Sequence, residues 1–175
     1  MKDKISTHLY SSPYGDLLLG SFEDRICMCD WWNRTKRSAI DKRLKEGLNA
    51  DFIQNKSAII ERAIEQLNEY FFEQRTAFTI PLIMIGSTFQ KTVWEQLPSI
   101  PHGSTISYYQ LAEKVKNTKA IRAVSSANGA NAISIFIPCH RVIGSYGALT
   151  GYAGGLTCKQ QLLELEATTV QTKLF

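Results

Sequence analysis

The sequence places a cysteine and a histidine next to each other, in the stretch IPCHRVIG at residues 137–144. A cysteine becomes a nucleophile when a neighbouring base or positive charge lowers the pKa of its thiol, and Cys139 is followed by His140 and Arg141. Consecutive side chains of a strand point to opposite faces, so the pair could share a pocket only if the chain turns. Pro138 ends strand pairing, and we therefore expect a turn and a reactive thiol. A buried cysteine in a core strand is the alternative.

The last predicted helix offers a carboxylate that could orient His140. Helical spacing puts four residues on one face: Cys158, Leu162, Leu165 and Thr169. Glu166 adjoins this face, and a carboxylate near a core needs a partner. A carboxylate bound to one ring nitrogen of a histidine fixes its tautomer and leaves the other nitrogen as a base. Cys139, His140 and Glu166 are therefore a candidate triad, with an exposed helix glutamate as the alternative.

A pair of short helices in the second half predicts a helix-turn-helix. Ser107 is the expected N-cap of the first helix and Thr118 that of the second, which continues to Gly129. Small side chains let the second helix approach either a neighbouring helix or a DNA groove. Arg122 is its long cation, and the lysines beside it suit phosphate contacts: Lys114, Lys116 and Lys119.

Two further groups of residues give weaker indications. Three glycines surround Tyr152 in GYAGG, which is typical of a loop whose backbone approaches a ligand closely. Cys27 and Cys29 share a strand face, with His8 on a neighbouring segment, but zinc needs three or four ligands. We interpret these cysteines as buried strand residues and predict no metal site.

The elements that position these residues divide at Gly86. Before it, the sequence predicts strands at 16–22 and 24–32, an amphipathic helix capped by Ser57, and an extended segment at 76–86. After it the chain is mainly helical, with residues 132–138 extended and a Thr157–Gln160 capping box opening the last helix. We therefore predict an α/β domain at residues 1–86, with a small sheet and a helix, and a mainly α domain at residues 87–175.

Composition and charge limit the class of protein. The chain of 175 residues is 44% hydrophobic and 21% charged, which is ordinary for a globular protein. It has no long apolar run and no secretory leader pattern, and four cysteines do not form a disulfide framework, so we expect a cytoplasmic protein, or a nuclear one in a eukaryote. Residues 87–175 carry 8 Lys/Arg against 4 Glu, whereas residues 1–86 are balanced at 12 each. This asymmetry favours nucleic acid as the partner, although a solvated basic face would give the same count.

In combination, these motifs resemble the O6-alkylguanine-DNA alkyltransferase family, also called methylated-DNA–protein-cysteine methyltransferases. IPCHRVIG, RAVSSANGANAISIF before it and GALTGYAGGLTCKQQLLELE after it carry the resemblance, which covers residues 89–166. It implies a ribonuclease H-like first domain, a winged-helix-like second domain and direct-reversal DNA repair without a cofactor. One alkyl group would pass irreversibly from O6-alkylguanine to Cys139, with O4-alkylthymine open as a second substrate.

The resemblance also implies residue roles. His140 would deprotonate Cys139 through a water, Glu166 would orient His140, Asn131 would brace the network, and Tyr108 would donate a hydrogen bond to the base. The partner would be double-stranded DNA, bound by a monomer in the minor groove with the damaged base flipped out. The residues expected at DNA are Ser107, Tyr108, Lys119, Arg122, Ala123, Ser125, Ser126, Ala127 and Asn128. Those expected around the base are Val142, Tyr152, Ala153 and Gly154.

Two other functions fit part of the pattern. A cysteine hydrolase could use the same Cys–His–Glu group, but it would need an oxyanion hole and gives no reason for Arg122. A non-catalytic helix-turn-helix module that binds lesions would leave the thiol without a role. The sequence also departs from the family pattern at Ala132, where Asn-Pro is frequent in place of Asn131-Ala132.

Overall fold

The computed structural model describes residues 2–173, so residues 1, 174 and 175 of the predicted domains lie outside the described part. The chain forms two compact units, Met1–Gly86 and Ser87–Phe175. No helix in the described part is both long enough and apolar enough to cross a membrane.

The first unit contains a four-stranded sheet. Its strands are β1 (Asp3–Ser12), β2 (Gly15–Phe22), β3 (Arg25–Trp31) and β4 (Ala50–Gln54), in the spatial order β3-β2-β1-β4. The first three form antiparallel hairpins, and the β2–β3 turn is the Glu23-Asp24 pair, in which both residues have positive φ. The two predicted strands are therefore confirmed. Strand β4, which pairs parallel with β1, was not predicted.

Two helices accompany this sheet, α1 (Arg37–Leu48) and α2 (Ala58–Phe72). Ser57 caps α2 as predicted, because its hydroxyl accepts a hydrogen bond from the backbone N–H of Ile60. The apolar face of α2 is buried, and α2 contacts β1, β2 and β3. The segment predicted as extended pairs with the edge of β3 at one bridge, between Ile26 and Leu82.

The second unit is mainly helical. Its helices are α3 (Thr88–Gln96), α4 (Tyr108–Lys114), α5 (Ile121–Gly129) and α6 (Leu156–Lys173). Helices α4 and α5 contact each other and α3, which forms the helix-turn-helix. A short parallel pair, β5 (Ile106–Ser107) with β6 (Val142–Ile143), completes the unit. The predicted fold class, an α/β unit followed by a mainly α unit, is confirmed.

Three cap predictions had different outcomes. Ser107 caps α4 in a full capping box with Gln110. Thr118 is not the N-cap of α5, because residues 118–120 form a separate 3₁₀ turn and α5 begins at Ile121. The Thr157–Gln160 capping box was also wrong: α6 begins at Leu156, which makes Thr157 its second residue, and the Gln160 amide donates to Glu164 instead.

Candidate active site

The segment before Cys139 is a buried turn and not the predicted extended run. The N–H of Ile137 donates to the carbonyl of Ile133, and that of Phe136 to Ser134. Ile135 has φ 72°, a left-handed conformation that costs energy for a β-branched residue. A short buried apolar run has the same composition in a strand and in a compact turn, so periodicity could not separate them. Cys139 therefore directly follows a buried turn of the second unit.

Two asparagine side chains hold the backbone around Cys139. The amide of Asn131 donates to the carbonyl of Ile137 at 2.9 Å, and its oxygen accepts from the N–H of Ile133 at 2.9 Å. The amide of Asn128, on α5, donates to the carbonyl of Cys139 at 3.3 Å. Asn131 therefore braces the turn itself, and Asn128 links the second helix of the helix-turn-helix to the backbone of the cysteine.

The chain turns at Pro138, as predicted, and residues Cys139–Arg141 form one 3₁₀ turn. His140 is fully buried, and its Nε2 lies 2.7 Å from Oε1 of Glu166. Because an ionised carboxylate only accepts hydrogen bonds, Nε2 carries the proton of this contact. Nδ1 of His140 is buried and has no hydrogen-bond partner among the described residues. The arrangement leaves Nδ1 as the basic nitrogen of the ring.

Glu166 lies on the inner side of α6 and is fully buried, as the helical spacing indicates. Burial by itself would raise its pKa, but the charge of His140 and the hydrogen bonds from His140 and Arg141 together hold the pKa well below its usual range. The side chain is therefore an ionised acceptor at neutral pH. Glu164, by contrast, is on the exposed side of the same helix.

Arg141 is a member of this network that the sequence did not assign. Its Nε donates to Oε2 of Glu166 at 2.9 Å and its NH2 to Oε1 at 3.0 Å, which is a two-point contact. Its NH1 donates to the carbonyl of Ile100 at 2.7 Å. The N–H of Gly103 also donates to Oε2 of Glu166, at 3.3 Å. The turn at residues 100–103 thus contacts both members of the Arg141–Glu166 pair.

Lys159 is a second residue that the sequence reasoning missed. It is fully buried on α6, and its Nζ donates to the carbonyls of Val142 at 2.6 Å and Thr150 at 3.0 Å. Burial lowers its pKa, and the nearby Cys139 thiolate opposes that shift. The signal was present in the sequence, because Lys159 precedes Glu166 by seven residues and so shares its helix face.

The predicted base-pocket residues lie around this centre. The rings of Tyr152 and His140 are in edge contact with centroids 6.4 Å apart, and Val142 is fully buried. Ala153 and Gly154 are half-buried in the loop that precedes α6. Tyr108 is half-buried at the start of α4, with Nζ of Lys159 5.9 Å from its ring centroid.

The predicted DNA-facing residues are only partly at the surface. Five are exposed or half-buried around α5: Lys119, Arg122, Ala123, Ser125 and Ser126. Ala127 and Asn128 are buried and do not belong to that face, because the Ala127 carbonyl accepts from the indole of Trp94 and Asn128 binds Cys139. The half-buried Ser107 uses its hydroxyl to cap α4.

The other cysteines, Cys27, Cys29 and Cys158, are buried, as Cys139 is. Burial raises the pKa of Cys27 and of Cys158 to about 12, and that of Cys29 well above its usual value, so these thiols stay protonated. Within residues 2–173, no group of three or more His, Cys, Asp or Glu side chains is arranged to hold a metal ion.

Comparison with known proteins identifies the family. The model for the DNA binding domain of 6-O-methylguanine DNA methyltransferase matches residues 88–168, and the model for its ribonuclease-like domain matches residues 5–84. The chain is 41% identical over 163 residues to a methylated-DNA–protein-cysteine methyltransferase of Methanosarcina barkeri, covering 93% of this chain and 98% of that one. It is 38% identical over 170 residues to the constitutive enzyme of that name from Bacillus subtilis, covering 93% and 95%.

A solved structure agrees with these sequence matches. The crystal structure of Mycobacterium tuberculosis OGT in complex with DNA superimposes with a TM-score of 0.79 at 36% identity, covering 95% of this chain and 94% of that one. Both domain models match in order, and the relatives match over nearly their whole length. The chain belongs to the 6-O-methylguanine DNA methyltransferase family.

Proposed function

We propose that this protein repairs DNA by moving the alkyl group of O6-alkylguanine to its own Cys139. The observation that carries the proposal is the buried His140–Glu166 contact directly after Cys139, in a unit that also holds a helix-turn-helix. The thiolate sulfur attacks the alkyl carbon, the bond from that carbon to O6 breaks, and guanine takes up a proton. The stable thioether consumes the protein, so each molecule acts once.

In this reaction His140 is the base that removes the thiol proton. Its Nε2–H is held by Glu166, which leaves Nδ1 to accept the proton, through a water as the resemblance implies. Arg141 and the N–H of Gly103 hold Glu166 in place. Tyr108 donates a hydrogen bond to the leaving base, which offsets the charge that develops there.

DNA is the partner, and the exposed side of α5 is the surface we assign to it. A thiol cannot reach the alkyl group on O6 of a guanine that is stacked inside a duplex, so the damaged base has to be flipped out toward Cys139. Arg122 is exposed on α5 and takes the place of the flipped nucleotide, while Lys119 contacts phosphate. Tyr152, Ala153, Gly154 and Val142 enclose the base. We further propose that the protein is a monomer, that it binds DNA in the minor groove, and that it acts in the cytoplasm.

Mass spectrometry tests this function directly. Intact protein is incubated with an oligonucleotide that carries O6-methylguanine, and we expect a gain of one methyl group that maps to Cys139. The Cys139→Ala variant should gain none, whereas Cys158→Ala, a change at another buried cysteine of the same unit, should gain one. A folded protein that gains no mass, or that demethylates several equivalents of DNA, would contradict the proposal. The hydrolase alternative requires that turnover, and the lesion-binding alternative requires full function in Cys139→Ala.

A further inference from the structure

The turn at residues 100–103, which joins the end of the α3 region to β5, carries a histidine that the proposed mechanism does not use. The side chain of His102 is almost buried, with 8% of its surface exposed. Its Nδ1 lies 3.5 Å from NH2 of Arg141 and 3.9 Å from Oε1 of Glu166. A second imidazole therefore lies near the carboxylate oxygen that accepts from the base His140.

The contacts of Arg141 explain what this ring does. The guanidinium donates to both oxygens of Glu166 and to the carbonyl of Ile100, and its NH2 group also faces Nδ1 of His102. The backbone of the turn fixes one edge of the guanidinium, and the imidazole lies against the nitrogen that binds Oε1. Oε1 is the oxygen that also accepts from His140. A shift of this nitrogen would move the hydrogen bond on which the base depends.

We propose that His102 is a positioning residue for alkyl transfer: in its neutral form, Nδ1 accepts from Arg141 and so holds Glu166 in line with His140. This inference rests on the proposed function. Charged groups that face the ring include Arg141, from the 3₁₀ turn, and Glu166, from α6, with His140 on the far side of the carboxylate.

Protonation of His102 would weaken this arrangement. A protonated Nδ1 cannot accept from Arg141, and its charge would lie against the guanidinium. It would also be drawn to Oε1 of Glu166, where it competes with His140 for the same oxygen. Alkyl transfer by the wild type should therefore fall at acid pH by more than it does in a variant whose hydrogen-bond acceptor at position 102 does not titrate.

Two substitutions separate positioning from space filling. Phe fills the volume of the imidazole without an acceptor, and Asn is smaller but places its Oδ1 where Nδ1 lies. Single-turnover alkyl transfer to each protein is measured with O6-methylguanine DNA, together with the dissociation constant for undamaged DNA and the melting temperature. We expect His102→Phe to slow transfer by about 5- to 10-fold at about pH 8, with His102→Asn within about twofold of the wild type. DNA affinity should not change in either variant.

The pH dependence gives a readout that a structural role would not move. The ratio of the His102→Asn rate to the wild-type rate should rise between about pH 8 and about pH 5.5, because the asparagine acceptor does not titrate while His140 and Cys139 are common to both proteins. A constant ratio, or a His102→Phe rate equal to the wild-type rate, would overturn the inference. If His102→Phe does not fold, the pH dependence of the His102→Asn rate relative to the wild-type rate still tests the inference. A wild-type protein that accepts no methyl group would overturn the proposed function instead.

Discussion

Nε2 of His140 and Oε1 of Glu166 lie 2.7 Å apart, although 26 residues separate them in the chain. The imidazole lies on the 3₁₀ turn Cys139–Arg141 and is buried in the second unit, and the carboxylate lies on the inner face of α6. Both side chains are fully buried, so the carboxylate compensates for the burial of the Nε2–H group, and the contact fixes one tautomer of the base.

Replacing Glu166 by Gln should slow alkyl transfer by about 100-fold while DNA affinity stays nearly unchanged. The amide keeps the shape of the side chain but removes the charge that stabilises a protonated His140. Single-turnover transfer and equilibrium DNA binding measure the two effects. Glu164→Gln, two residues away on the exposed side of α6, is the matched control and should behave as the wild type. A collapse of DNA affinity in Glu166→Gln would mean that Glu166 is structural.

Glu166 should also make stability depend on acid pH. Its folded-state pKa is held below the ordinary value of 4.5, so between the two values the unfolded chain binds more protons and stability falls as the pH falls. Its contribution is fully present above about pH 4.5 and is lost progressively below it. Urea unfolding at several pH values should show the difference between wild type and Glu166→Gln shrinking in acid. Parallel stability curves for the two proteins would contradict this assignment.

Lys159→Met should loosen the loop between β6 and α6. The change keeps an unbranched side chain but leaves the carbonyls of Val142 and Thr150 without their shared donor, which should cost about 2 kcal/mol of unfolding free energy. Alkyl transfer should slow by about tenfold, because strand β6, which follows the 3₁₀ turn of Cys139, and the pocket loop lose their common contact. Gln160→Met, at the next and exposed position, loses only an exposed hydrogen bond to Glu164 and should leave the melting temperature and the rate nearly unchanged.

Gly103→Ala should destabilise the protein more than Gly147→Ala. Both glycines have nearly the same positive φ, 78° and 77°, so the backbone penalty is shared. An added Cβ at Gly103 would lie 2.5 Å from Cγ2 of Val170, whereas nothing lies within 4 Å at Gly147. We expect a loss of about 3 kcal/mol at Gly103 and about 1 kcal/mol at Gly147 in denaturant titrations. Equal losses would show that the turn can move away from α6.

Arg122→Ala should slow repair of duplex DNA by about tenfold or more, because nothing would then occupy the space of the flipped base. The reaction with free O6-methylguanine base should be unchanged, since no flipping is needed there. Comparing the two substrates therefore separates base flipping from chemistry. A matching loss with both substrates would place Arg122 in the active site and not in the duplex.

Local patterns in the sequence were sufficient for a large part of this structure. The Ser57 and Ser107 caps, the amphipathic helix α2 and the turn at Pro138 depend on neighbours within a few residues, so their spacing predicts them. The cap predictions at Thr118 and Thr157 were wrong, because a 3₁₀ turn at residues 118–120 precedes α5 and because α6 begins one residue before Thr157. The prediction of an extended segment at residues 132–138 was wrong, because a continuous buried apolar run shows neither helical nor strand periodicity.

The residue pattern alone placed Cys139 beside a histidine and an arginine, put Glu166 next to the apolar face of its helix, and indicated a helix-turn-helix before them. Which groups contact Glu166 depends instead on how segments that are distant in the chain pack together. The turn at residues 100–103 lies far from α6 along the chain, yet Gly103 donates to Glu166, and Ile100 and His102 contact Arg141. The pairing of β4 with β1 likewise joins segments that are distant in the chain. A buried charge needs partners, and here packing brings those partners from distant segments. The spacing of residues within one segment therefore does not predict these contacts.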